Sequence, residues 1–319
     1  MKLASKPIKR YHRFPYYDYS AGASLFVTIS TSPRRCLFGE VVDRAMILSP
    51  FGREVEEAIV FAFRSLRLFG YAVLPDHVHF RVYLHPGFDN QTAIRYINHL
   101  VGRFKSYTTR LYQTKYGGDI TLWQRGYHDW LCVSREMIEA VERYIAYNAL
   151  KWWLRHGGGR SLLSLHEPLE SPRLGRDEFW RGVGAVELLN TERIMVSLRV
   201  SRRATAGDIA SLVARIEAKA GELVIISGFI SPGERAVLAA LLENPAAQFI
   251  KVSPAALPHD YSPPVTLMAA IADGRAAVIA RGNSPEELSR AACLDLNARI
   301  IEIADRSVYV LPGEIKVLK

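Results

Sequence analysis

Two histidines separated by one residue, His77 and His79, stand in the segment LPDHVHFRVYL, and a tyrosine and an asparagine four apart, Tyr144 and Asn148, stand in ERYIAYNALKWW. Along residues 77–84 His77, His79, Arg81 and Tyr83 alternate with Val78, Phe80, Val82 and Leu84, the period of two of a strand with one apolar face. Both imidazoles then project to one side and can bind a single divalent ion through ring nitrogens. Residues four apart share a face of a helix, so Tyr144 and Asn148 would also project together. Packed over the strand, that face could offer the Asn148 carbonyl oxygen as a third ligand and aim the Tyr144 hydroxyl at a metal-bound phosphate. A phenol, with a pKa near ~10, is a poor nucleophile until a cation or a base activates it. Two imidazoles, one oxygen ligand and open positions suit Mg²⁺ or Mn²⁺, and the lack of cysteine in the set argues against a structural zinc. The same residues also read without chemistry. A histidine pair on a strand can be structural, and Tyr144, Tyr147, Trp152 and Trp153 can be core aromatics of a helix.

The elements that must position them read as mixed α+β. SLFVTIST (24–31) is a strand after an aromatic and basic lead-in with Tyr11, Phe14, Tyr16, Tyr17 and Tyr19. Residues 51–66 carry helical spacing, 71–74 and 77–84 are adjoining strands, and helices follow near 91–114 and 135–155. GGGR (157–160) and the Pro-, Gly- and charge-rich run to Gly184 read as a linker. Beyond it, short β-branched runs (RIMVSLRV, ELVIIS, AQFIKVS, AAVIA, SVYVL) alternate with helical segments at 206–219, 232–243, 264–273 and 284–298. That alternation implies a parallel, doubly wound sheet. The expected domains are therefore 1–160, a linker at 161–184, and 185–319.

Charge is uneven along the 319 residues. Residues 1–180 hold 25 Lys and Arg against 17 Asp and Glu, a net of +8, and residues 181–319 hold 16 against 15, a net of +1. A polyanion partner is expected on the first part, although a solvated basic surface has the same composition. No apolar run reaches the ~18 residues that would span a bilayer, which excludes a helical membrane protein. The start, MKLASKPIKRYHR, lacks the apolar stretch of a secretory signal. Cys36, Cys132 and Cys293 show no CxxC spacing, as for buried thiols in a cytosolic protein. The expected location is the cytoplasm.

Taken in order, the motifs of the first part resemble the IS200-like single-tyrosine transposases of the HUH type, and among them the REP-associated tyrosine transposases. The resemblance rests on LPDHVH (74–79), the Lys-Ser pair in RFKSYT (103–108), WQRGYHD (123–129), and Tyr144, Ile145, Asn148, Lys151 and Trp152. One departure is Ala149, where the family usually has proline after the asparagine. The resemblance implies a ferredoxin-like HUH domain, with metal ligands at His77, His79 and Asn148 and the nucleophile at Tyr144. It also implies Mg²⁺- or Mn²⁺-dependent nicking and joining of single-stranded DNA beside hairpins, through a 5′-phosphotyrosine. Arg103, Lys105, Arg125 and Lys151 are the expected phosphate contacts, and Tyr11, Phe14 and Tyr16 could stack on unpaired bases. Two alternatives stay open: a non-catalytic hairpin-DNA-binding regulator, and a replication or mobilisation relaxase, a class that often carries a third histidine. A homodimer is a further open expectation.

IISGFISPGERAVLAAL (225–241), followed by IKVSPAALPHDYSPP (250–264), resembles the Rossmann-like domain of DNA-processing protein A and its relatives. SPGE (231–234) is a capping-box pattern, and a helix N-terminus at the end of a sheet strand can hold a phosphate. Glu234 disfavours an anion there, and the glycine-rich phosphate loop is absent. Nucleotide or DNA binding and a scaffold or dimerisation role both remain open for this part.

Overall fold

The computed structural model describes residues 17–175, 178–282 and 289–318. The expected base-stacking residues Tyr11, Phe14 and Tyr16 lie outside them. The chain divides into two compact units, Met1–Trp153 and Leu154–Lys319.

The first unit runs β1 (Ala23–Ser30), a hairpin of β2 (Gly39–Val42) and β3 (Ala45–Leu48), α1 (Pro50–Ala62), β4 (Arg67–Leu74), β5 (His77–Leu84), α2 (Asn90–Tyr116), β6 (His128–Leu131), α3 (Arg135–Ala146) and α4 (Asn148–His156). Side-chain caps start the helices: Ser49 accepts from Gly52 N, with Pro50 in the first turn, Asp89 accepts from Gln91 N and Thr92 N, and Ser134 accepts from Met137 N. Each satisfies a backbone donor that the helix itself leaves open. The sheet order is β4-β5-β1-β6, with every pairing antiparallel.

Period-two alternation gives this sheet two unlike faces. Leu25, Val27 and Ile29 of β1 and Val78, Phe80, Val82 and Leu84 of β5 are buried in one core with Val55 and Ile59 of α1 and Ile97 and Phe104 of α2. On the other face Ser24, Ser30, His79 and Arg81 are buried polar residues, an uncommon content for a sheet interior, and α3 packs against β4 and β5. The expected single helix over 135–155 is two, parted at Tyr147 (φ −97°, ψ 11°). Hydrogen bonds from Tyr147 N to Arg143 O and from Lys151 N to Tyr147 O carry the helical path across that residue.

The second unit contains β7 (Trp180–Gly184), β8 (Ile194–Val200), α5 (Ala206–Glu217), β9 (Leu223–Ser227), α6 (Pro232–Glu243), β10 (Gln248–Val252), α7 (Val265–Ala272), β11 (Ala276–Arg281), α8 (Arg290–Ile303), β12 (Arg306–Leu311) and β13 (Glu314–Leu318). The sheet order is β13-β12-β8-β9-β10-β11-β7. The five central strands are parallel, and β7 and β13 close the edges antiparallel. Leu212 of α5, Val237 of α6 and Ile271 of α7 pack with Leu198, Ile225 and Phe249. Leu296 and Ile300 of α8 pack with Val224, Ile226 and Ile250 on the other face. Among the described residues no helix is long and apolar enough to cross a membrane.

The expected linker at 161–184 is corrected by this unit. Leu169, Leu174 and Trp180 are buried in its core, Trp180–Gly184 is strand β7, and His166 exchanges two backbone hydrogen bonds with Gly182 at 2.8 and 3.1 Å. Two of its glycines, Gly182 and Gly184, answer to close packing rather than to looseness. A Cβ on Gly182 would stand 2.9 Å from Val186, and one on Gly184, at φ +86°, would stand 2.6 Å from the Ala276 carbonyl.

Candidate metal and nucleophile site

The polar face of the first sheet assembles the candidate residues. His77 and His79 lie on β5 with ring centroids 4.6 Å apart, paired across β1 with Ser30 and Thr28. His79 Nδ1 is 2.8 Å from the Thr28 hydroxyl, while its Nε2 is buried with no hydrogen-bond partner among the described residues. His77 Nδ1 is 2.5 Å from Asp76 Oδ1, and Arg34 donates to the other Asp76 oxygen at 3.0 Å. Asp76 is itself held by the turn before β5, where its carbonyl accepts from Thr31 N and Thr31 Oγ1. Protons on the two Nδ1 atoms leave both Nε2 lone pairs available, the state a metal-ligating imidazole needs.

The helices close over this pair. The Tyr144 ring is edge-on to His79 at 5.3 Å and to Phe26 at 5.8 Å, and Phe26 stacks on His79 at 5.2 Å. The Lys151 ammonium lies 4.2 Å from the Tyr144 ring centroid, and Trp152 is 5.9 Å from His77. Asn148, midway between Tyr144 and Trp152 along the helical path, is 3% exposed, and its Nδ2 has no hydrogen-bond partner among the described residues. End-for-end rotation of that amide puts Oδ1 in the same place.

Burial, followed by electrostatic interactions with His77, Lys151 and Arg34, holds His79 well below the ordinary histidine pKa of 6.5. It is therefore neutral near pH 7, as a ligand must be. Burial raises the Asp76 carboxyl, but its bonds to His77 and Arg34 outweigh that and leave it below 3.8. Among the described residues no group of three His, Cys, Asp or Glu could hold a metal ion. A cation here would use His77, His79 and the Asn148 amide, and the two orphaned buried nitrogens fit that role.

The four expected phosphate contacts scatter. Only Lys151 stands with the candidate chemistry. Arg103 is exposed on α2, which packs on the opposite face of the sheet, and Arg125 is exposed in the loop before β6. Lys105 is corrected: its ammonium donates to the carbonyls of Gln124 (2.7 Å) and Gly126, so it clamps the Arg125 loop from inside, and burial lowers its pKa to about 8. Sequence reasoning missed Thr28 as a partner of His79, although Ser24, Thr28 and Ser30 share one parity of β1. It also gave no role to Asp76 or Phe26. Tyr17 and Tyr19, read as part of an aromatic lead-in, pack on and in the core of the first unit.

In the second unit the helix N-terminus after β9 is closed by its own side chain. Glu234 accepts from Ile230 N at 2.8 Å, Ser231 N at 3.1 Å and Val200 N at 3.4 Å, and Ser231 Oγ accepts from Glu234 N at 3.2 Å. A phosphate would have to displace a buried carboxylate from these donors.

Comparison with known proteins gives the following. An uncharacterized protein of Haemophilus influenzae is 23% identical over 162 residues, which is 45% of this chain and 89% of that protein. The structure of a REP-associated tyrosine transposase bound to a REP hairpin has 19% identity over 45% of this chain and 74% of its own, with a TM-score of 0.34. DNA processing protein A from Helicobacter pylori, solved in a study of its single-stranded DNA binding mode, has 18% identity over 47% of this chain and 70% of its own, with a TM-score of 0.36. The family model "Transposase IS200 like" matches residues 53–148, a span that includes His77, His79, Tyr144 and Asn148. The likeness to the IS200-like transposase family thus covers residues 53–148 of this chain.

Proposed function

We propose that this protein nicks and rejoins single-stranded DNA through a covalent bond to Tyr144, with Mg²⁺ or Mn²⁺ held by His77, His79 and Asn148. The observation that carries the proposal is the contact of the Tyr144 ring with His79, whose Nε2 is buried without a partner. The order β4-β5-β1-β6, with α1 and α2 on one face, supports reading the first unit as a ferredoxin-like HUH domain. Helices on both faces of a mainly parallel sheet support a Rossmann-like reading of the second. We assign catalysis to the first unit, leave the second, which includes 161–184, with an accessory role, and place the protein in the cytoplasm with its DNA.

The Tyr144 hydroxyl oxygen bonds to the scissile phosphorus as the bond from phosphorus to the 3′ oxygen breaks. The phenol proton is released and the departing oxygen ends as a 3′-hydroxyl, while the 5′ end stays on Tyr144 as a phosphotyrosine. One ester bond replaces another, so attack by a 3′-hydroxyl reverses the step and joins ends without ATP. The divalent ion would supply Lewis-acid stabilisation of charge on the phosphate. Lys151, 4.2 Å from the Tyr144 ring centroid, places a positive charge beside the attacking group, where charge develops on the phosphate. Asp76 and Thr28 fix the two imidazoles in the ligating orientation. Incubation with a labelled oligonucleotide carrying a hairpin and a single-stranded flank tests the proposal. A denaturant-stable adduct that needs Mg²⁺ or Mn²⁺ is expected, and cleavage undiminished in EDTA or in both His77→Ala and His79→Ala would refute it.

A further inference from the structure

We infer a second DNA-binding site, a groove between α1 and α2 on the sheet face opposite Tyr144, that takes unpaired nucleotides flanking the cut. The inference rests on the proposed single-strand activity and adds a subsite to it. The groove has a volume of about 430 Å³, in the range of pockets that hold small organic ligands. On α2 the residues His99, Arg103, Tyr107 and Arg110 follow one another at spacings of four, four and three, a single exposed stripe. Phe61 and Arg64 form the facing wall, with the Arg64 guanidinium 3.8 Å from the Phe61 ring centroid. Phe61 is 61% exposed and Tyr107 is 52% exposed, a large aromatic surface to leave in water beside three arginines. Among the described residues no Asp or Glu lines the groove, and no carboxylate pairs with Arg64, Arg103 or Arg110.

Aromatic faces interleaved with guanidinium groups match the two repeating parts of a single strand, the base and the phosphate. An acidic protein would use the arginines but would leave Phe61 and Tyr107 without stacking partners. The core residues of β1 and β5 lie between this groove and the polar face that bears His79. A strand held here therefore reaches Tyr144 only around an edge of the sheet, and the groove reads nucleotides removed from the scissile phosphate.

The test uses the full chain and a fluorescein-labelled oligonucleotide of mixed sequence without self-complementarity, followed by anisotropy across a salt series. Single strands give a log–log salt slope of ~0.7 per phosphate contact. Combined Arg64→Gln, Arg103→Gln and Arg110→Gln should flatten the slope by about 2, the loss of three contacts. Tyr107→Ala should weaken binding roughly five- to 150-fold, the range of one lost base stack, with little change in slope. An oligonucleotide carrying 5-iodouracil should photocrosslink to Tyr107 or Phe61. Unchanged affinity and slope in the triple variant would overturn the inference. So would displacement of the oligonucleotide by poly-glutamate as readily as by unlabelled DNA. Tyr144→Phe, run in parallel, separates the two claims: covalent adducts that survive it refute the nucleophile, whereas the groove is judged by anisotropy alone.

Discussion

Thr28→Val removes one hydroxyl and keeps the shape of a β-branched side chain, so strand β1 should form as before. What changes is His79. Its Nδ1 loses the oxygen 2.8 Å away in a setting where burial already dominates the ring. Either a buried nitrogen is left unpaired, at a cost of ~1–3 kcal/mol, or the ring shifts its proton to Nε2 and ceases to be a ligand. Both outcomes weaken a cation at Nε2. About 1.4–2.8 kcal/mol corresponds to a 10- to 100-fold loss of metal affinity, the size usually found when the partner of a ligating histidine is removed. Titration of Mn²⁺ into wild type and Thr28→Val, followed by calorimetry or by the paramagnetic signal of free Mn²⁺, measures it directly. Unaltered Mn²⁺ affinity in Thr28→Val would refute the assignment of His79 Nε2 as a ligand.

Lys105 predicts a pH dependence of stability. Its pKa falls from ~10.4 in the unfolded chain to about 8 in the fold, so between those values the unfolded chain binds more protons and stability rises with pH. The gain, discounted for partial exposure, should be about 1–2 kcal/mol, complete above the unfolded value and absent below pH ~8. Urea unfolding at both ends of that window should show it in wild type and not in Lys105→Met; equal pH slopes would contradict it. Trp180→Ala should destabilise the second unit by roughly 3–5 kcal/mol, read as a fall in the urea midpoint, whereas a residue in a loose linker would leave the midpoint in place.

The histidine pair was legible because strand alternation is a rigid rule: only one register puts Val78, Phe80 and Val82 in the core, and it turns His77 and His79 the other way together. Tyr144 and Asn148 were legible for the equivalent helical reason, and the break at Tyr147 does not disturb it, since the hydrogen bonds on either side carry the turn across. Thr28 was not legible because a partner across a sheet depends on register between β1 and β5, which no single segment records. Lys105 looked like a phosphate contact because a lysine on a helix is usually solvated, and its acceptors, the carbonyls of Gln124 and Gly126, belong to backbone that carries no side-chain signal. The stretch 161–184 read as a linker because Pro, Gly and charge dominate its composition. Three apolar positions that it buries, Leu169, Leu174 and Trp180, stand five and six residues apart, a spacing that fits neither a helix nor a strand. Strand β6 escaped for a related reason, being four residues long with Trp130 exposed.

The central claim is that Tyr144 becomes covalently attached to DNA. Wild type, Tyr144→Phe and Tyr147→Phe, each incubated with Mg²⁺ and a hairpin-bearing single strand and then digested with protease and nuclease, allow the modified peptide to be identified by mass. A nucleotide adduct on Tyr144 in wild type and in Tyr147→Phe, and none in Tyr144→Phe, is the predicted result. An adduct that persists in Tyr144→Phe and disappears in Tyr147→Phe would contradict it, and would move the nucleophile to the residue at which the two helices part.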